Sequence, residues 1–158
     1  MNRPAWSRLL LAGLTTAVAD GLFSSVLSRF FYGSTVTRLW QGVASVLLGK
    51  PALDGGLRTA LIGLAMHVGV AFFWSAVFLL VARQSAALRR VLASPGGILK
   101  VAAVYGPSVW LVMSLAVIPL LVHRPPSITI RWWIQLIGHA VFVGLPIVAS
   151  IAGRRSYD

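Results

Sequence analysis

Apolar residues in this chain come in four long runs, at residues 9–31, 57–82, 97–122 and 132–152, with most of the charge in the segments between them. A helix rises about 1.5 Å per residue and needs about 20 mostly apolar residues to cross about 30 Å of hydrocarbon. Each run meets that length. The pattern predicts an all-α fold, an integral membrane four-helix bundle formed by a single transmembrane domain over residues 1–158.

The first connection has a pattern of its own. Within residues 35–49, Val36, Leu39, Trp40, Val43, Val46 and Leu47 recur at helical spacing, while Arg38, Gln41 and Ser45 fall largely on the other side. Gly49, Lys50 and Pro51 end the pattern, and Asp54, Gly55 and Gly56 make a turn. The segment is too short to span. It predicts one extra amphipathic interfacial helix, lying roughly parallel to the membrane outside the bundle. Such a helix serves either as a lid or plug over the bundle or as a connector covering headgroups.

Polar positions inside the spans are few and ordered. Thr16, Asp20, Ser24 and Ser28 recur every four residues and form a stripe on one helical face. Beside it run Gly13, Ala17, Gly21 and Ser25, small residues that let another helix approach closely. The first span is therefore expected to be the central helix, wrapped by the others. A carboxylate at the bilayer centre costs about 2.5–3.5 kcal/mol on insertion scales, so Asp20 must face the bundle, find a partner or be protonated. His67 shares a face of the second span with Thr59, Gly63, Trp74 and Ser75, and His139 in the fourth follows Gln135 by one turn. Counted at about 1.5 Å per residue, Asp20, His67 and His139 reach similar heights. The candidate buried polar cluster is Asp20, His67, His139, Thr16, Ser24 and Gln135. Thr16 and Ser24 are expected to donate to Asp20, and a histidine to lie within direct or one-water reach of it, His67 first because hairpin partners pack together. Asp and His within spans mark proton or ion relays, and equally the hydrogen-bonded networks that fix helix register. No HxxxH or HxxE spacing points to a metal.

Pro107 and Pro119 are expected to bend the third span and Pro146 the fourth. Trp132 and Trp133, with Phe30, Phe31 and Tyr32, fit an aromatic belt at one membrane surface, and Trp6 at the other. Trp74 and Trp110 lie deeper and are expected to fill the core. Residues 61–69 resemble residues 136–144, which suggests a parallel duplication of a helical hairpin.

Composition agrees with lipid as the main solvent. Hydrophobic residues make up 58% and charged residues 11%, against roughly 25% charged in soluble domains. The net charge of +11 would suggest nucleic acid in a soluble protein. Here the basic residues sit at span ends, where anionic headgroups attract them, and no nucleic-acid partner is expected. The absence of cysteine excludes disulfides, thiolate chemistry and Cys-ligated metals. Eight basic residues (Arg3, Arg8, Arg83, Arg89, Arg90, Lys100, Arg154, Arg155) fall on one side and six (Arg29, Arg38, Lys50, Arg58, Arg124, Arg131) on the other. That bias puts both termini in the cytoplasm. A rival reading takes Arg3, Arg8 and the apolar run ending Ala17-Val18-Ala19 as a cleavable signal, but apolar sequence resumes after Asp20 and completes a span. No nucleophile–base–oxyanion set and no phosphate-binding glycine loop is present. The expectation is a non-enzymatic structural or accessory membrane component without catalytic residues, metal or cofactor. Its partners are the lipid bilayer and a second copy or another membrane protein. The alternative is a small oligomeric transporter or channel using the buried Asp/His cluster.

Residues 38–50, Asp54-Gly55-Gly56, the stretch from Gly63 to His67, Tyr105-Gly106, Val112-Met113-Ser114, residues 117–120, and the stretch from Gly138-His139 to Pro146 together resemble a family of small four-span bacterial inner-membrane proteins of unknown function. The resemblance covers nearly the whole chain. It implies a bacterial inner membrane and four helices, and it carries no activity or catalytic residues. Ser114 stands where the family often has asparagine, so an amide-based role there does not carry over.

Overall fold

A computed structural model describes residues 4–152. The four apolar runs are four helices long and apolar enough to cross a membrane: α1 (Ala5–Phe31), α3 (Gly56–Gln84), α5 (Pro95–Val122) and α6 (Ile130–Ala152). Two shorter helices lie in the connections, α2 (Val36–Leu48) and α4 (Ala86–Val91). No strand occurs among the described residues. One end of the bundle carries the start of α1, α4 and the end of α6 and is called the terminal face here. The other carries α2 and is called the α2 face.

Local chemistry sets the helix ends. The Thr35 side chain accepts from the Arg38 amide at the start of α2, and Gly49 ends that helix at φ 72°, a left-handed conformation that glycine adopts without strain. Ser94 caps α5 by accepting from the Gly97 amide, with Pro95 in the first turn, where its missing N–H costs nothing. The sequence pattern had not indicated α4. It forms because Ser85 caps it and Arg89 and Arg90 sit in its last turn, which suits the negative end of the helix dipole. Arg89 also donates to the carbonyls of Arg83 (2.6 Å) and Ala82 (3.3 Å), satisfying carbonyls that the end of α3 leaves free.

Pro107 sits inside an uninterrupted α-helical stretch of α5, Pro95–Val112, whereas the bends at the other two prolines take a specific form. Residues Met113–Val117 and Ala140–Gly144 are π-helical, and each stretch lies just before a proline, Pro119 or Pro146. Proline cannot donate to the carbonyl four residues back, and its ring crowds that carbonyl. The helix widens to accommodate it. A third π-helical stretch, Leu27–Phe31, closes α1 without a proline.

Around the bundle the order is α3, α1, α6, α5. The ring closes between α3 and α5, where the Tyr105 hydroxyl donates to the Trp74 carbonyl (2.7 Å) and the Tyr105 and Phe78 rings lie 4.7 Å apart. The first span is therefore not a central helix. It packs on α3 and α6 and leaves Leu14, Val18, Leu22 and Val26 exposed on its far side. The small-residue stripe acts as anticipated: Gly13 lies under the Phe72 ring and Gly21 beside His67 and Trp40. Towards the terminal face the interior is apolar and dense, with Phe78, Ala82, Ala102, Val109, Val143, Ile147, Val148 and Ile151 buried together.

The helix in the first connection, α2, packs on α3. Trp40, Gln41 and Ala44 are buried, while Val36, Leu47 and Leu48 are exposed. Gly63 explains this, because a Cβ there would run into the Trp40 carbonyl oxygen. The backbone of α2 rests on α3 at that point, and the residues nearest the contact are buried whatever their polarity. Gln41 meets the cost by donating to the Gly56 carbonyl (3.1 Å). Arg38 fixes the same end, donating to the Leu53 carbonyl (2.7 Å) and pairing with Asp54 (3.9 Å).

This contact makes a paired prediction within one helix. Gly63→Ala should destabilise the protein by about 1–3 kcal/mol, the usual cost of overpacking. Gly69→Ala, where nothing lies within 4 Å of an added Cβ, should be neutral or stabilising by up to about 1 kcal/mol through helix propensity. Unfolding of both variants in detergent micelles measures the difference.

Candidate functional site

Asp20 and His67 meet between α1 and α3. The Asp20 Oδ2 and His67 Nδ1 atoms are 3.8 Å apart, with both side chains mostly buried. The other imidazole nitrogen, Nε2, lies 3.1 Å from the Ala17 carbonyl oxygen. A carbonyl can only accept, so Nε2 carries a hydrogen and donates to it. Nδ1 is left facing the carboxyl group, and attraction between the two requires a proton on one of them. The spacing is too long for a direct hydrogen bond and suits an ion-pair contact. Trp40 of α2 closes the site, its ring 5.1 Å from the imidazole. Gly21 lies beside both rings, where an added Cβ would make ordinary van der Waals contact with each.

Two expected contacts are missing. Thr16 is buried, yet its Oγ1 has no partner, and neither does Asp20 Oδ1. Thr16 therefore does not donate to Asp20. Ser24 lies half-buried on the same face, with no hydrogen bond to the carboxylate. A hydroxyl in a helix often turns to its own backbone rather than to a neighbour one turn away, and Thr15 does so with the Leu11 carbonyl (2.6 Å).

His139 and Gln135 belong to a second group, between α5 and α6. Nδ1 of His139 donates to the Gln135 backbone carbonyl (2.7 Å), and the imidazole packs on Trp110 with ring centroids 4.8 Å apart. No three His, Asp or Glu side chains come together as a metal site among the described residues. A Cβ on Gly106 would strike the His139 carbonyl oxygen, and one on Gly144 the Ala102 carbonyl oxygen. Two glycines, one from each helix, thus draw α5 and α6 together at the height of the histidine.

The tryptophans divide differently from the expected belt and core. Trp133 is exposed, as a belt residue is, but Trp132 is buried. Its indole N–H donates to the Ser114 hydroxyl (2.9 Å). The π-helical stretch that ends α5's first segment carries Ser114 to that position. A buried indole needs an acceptor, and the hydroxyl supplies one. Trp74 packs against the apolar core. Trp110, expected in the core as well, lines a cavity of about 330 Å³ at the α2 face, together with Tyr32, Ser114, Gln135, Arg124 and Arg131. Nothing in the sequence distinguished Trp132 from Trp133, since adjacent helix positions differ only in direction.

No protein-family model, curated protein or solved structure matches this chain.

If Asp20 and His67 act as a pair, their substitutions will not add. Asp20→Asn and His67→Phe, singly and together, should give a coupling of at least about 0.5 kcal/mol in a double-mutant cycle, measured by denaturant unfolding in mixed micelles. Additive losses would mean that the two side chains do not interact.

Proposed function

We propose that the chain is a non-enzymatic structural or accessory component of a membrane, in which Asp20, His67 and Trp40 lock three helices into one register. The observation that carries this reading is the double engagement of His67. One nitrogen donates to the α1 backbone at Ala17, the other faces Asp20 on the same helix, and the ring lies against Trp40 of α2. All three contacts run between helices. Buried polar groups used this way fix which helices pair and at what height. From the resemblance to small four-span bacterial inner-membrane proteins, the inner membrane is the location we infer.

The eight-to-six distribution of basic residues supports a topology with both termini cytoplasmic and the α2 face outside. In that orientation the exposed Val36, Leu47 and Leu48 of α2 meet the interfacial region, and Trp40 covers the Asp20–His67 pair as a plug. Reporter fusions at the two ends of the uncleaved protein should both give cytoplasmic signals. A periplasmic signal from either end would refute the orientation.

A second reading, a small oligomeric transporter or channel, draws on one observation: Asp20 Oδ1 and Thr16 Oγ1 are buried side chain atoms without partners. Unsatisfied groups at that depth are where a proton or a dehydrated ion would gain contacts. The two readings part in reconstituted vesicles carrying an internal pH dye. The accessory role predicts no proton flux above empty vesicles, for the native chain and for Asp20→Asn alike. Flux in the native chain that Asp20→Asn abolishes, with insertion unchanged, would establish the transport reading instead.

A further inference from the structure

The cavity at the α2 face belongs to neither the Asp20–His67 pair nor the helix register. It lies between the end of α5, the α5–α6 connection, the start of α6 and Tyr32 at the end of α1. Its volume, about 330 Å³, falls in the range of small-molecule sites, roughly 300–1,000 Å³.

Its chemistry is one-sided. Arg124 and Arg131 both line it, and neither has a carboxylate partner among the described residues. Of the two acids described there, Asp54 pairs with Arg38 and Asp20 with His67. Arg131 instead lies over the Tyr32 ring, 4.3 Å from its centroid. Three lining side chains also have buried polar atoms without partners: the Tyr32 hydroxyl, the Trp110 indole N–H and the Gln135 amide oxygen. The first two can donate, and the Gln135 amide can turn to present its NH₂ group. Burial raises the Tyr32 hydroxyl above its ordinary pKa of 10.0, against the pull of Arg131, so it remains a neutral donor at physiological pH. The start of α6 adds the positive end of a long helix at Thr129, whose side chain makes no capping bond. Ile118, Pro119 and Val122 add apolar lining.

We propose that this cavity binds a phosphate group, held by Arg124 and Arg131 and by the Tyr32 and Trp110 donors. Two guanidinium groups and at least two neutral donors exceed what the two oxygens of a carboxylate can use. They suit a tetrahedral anion with more acceptor oxygens. The phosphate has two possible sources. A phospholipid would set its headgroup among the donors and its acyl chains along the apolar lining, beside the exposed Leu120 and Leu121. A soluble phosphate would enter from the open side alone.

The test uses the full chain in mild detergent, with thermal unfolding as the readout of binding. One arm adds phosphatidylglycerol, a second adds diacylglycerol of the same chain length, and a third adds inorganic phosphate. Protection by phosphatidylglycerol but not diacylglycerol assigns the site to the lipid. Protection by inorganic phosphate, with none from phosphatidylglycerol, assigns it to a soluble anion. In either case Arg124→Gln with Arg131→Gln should weaken the protecting ligand about tenfold or more, as the loss of charge-assisted hydrogen bonds does. Lys50→Gln with Arg58→Gln, on the same face but outside the cavity, should weaken it less than about threefold, the scale of general surface attraction. Trp110→Phe, which keeps the ring and removes only the N–H, should also weaken binding and covers the case in which the arginine variant fails to fold. Protection by neither phosphate source, or equal weakening by the two charge pairs, would overturn the proposal. Neither outcome bears on the Asp20–His67 reading.

Discussion

Backbone contact at glycine is the constraint on which the arrangement of these helices rests. At Gly63 the α2 backbone lies against α3, and at Gly106 and Gly144 the α5 and α6 backbones lie against each other. Lipid tails are as apolar as leucine, so helices in a bilayer gain little from burying apolar side chains against one another. Close approach replaces that gain with dispersion contacts and short dipolar contacts between backbones. Each of these crossings also positions a side chain of the candidate polar groups. Gly63 sets α2 at the height where Trp40 reaches His67, and Gly106 holds His139 where its ring meets Trp110.

The polar interior then follows from height. Once α1 and α3 are registered by Gly13 against Phe72 and by Gly21 beside His67, the only carboxylate inside a span faces one of the two histidines inside spans. His67 gains more from the site than Asp20 does. The imidazole has a donor bond to Ala17, a charge contact and an aromatic neighbour, whereas one carboxylate oxygen has none of these. The imidazole is thus the fixed member of the pair, and the carboxylate is the one with unused capacity.

Much of this was legible in the sequence, and the misses share a cause. The four long apolar helices, the helix in the first connection and the meeting of Asp20 with His67 follow from run length, a glycine–proline stop and depth counted along each helix. The direction in which a side chain points does not, because apolar residues face lipid and protein alike. Periodicity therefore left the packed face of α2 open, where Gln41 is buried and Leu47 exposed. It also treated Trp132 like Trp133 and made α1 central although its Leu14, Val18 and Leu22 edge is exposed. Small residues are the better guide to the inward face. Gly63 on α3 and Ala44 on α2 mark that crossing, and reading them before the apolar stripe would have oriented α2. The cavity had no such signal, since its residues come from three separate segments and its donors are scattered in sequence.

The two halves of the bundle consequently do different work. Towards the terminal face, Ile147, Val148 and Phe78 fill the interior with almost no exposed surface, and the polar bonds there serve mainly to close helix ends. Towards the α2 face the interior holds aromatic rings, imidazoles, hydroxyls and a cavity. The prolines reinforce this division. Pro119 and its π-helical stretch open α5 beside the cavity and bring Ser114 to the Trp132 indole. Pro146 and its stretch lie immediately after His139 on α6. The two stretches act differently: on α5 the widened turn borders the cavity and presents Ser114, while on α6 the stretch Ala140–Gly144 is where Gly144 meets the α5 backbone at Ala102.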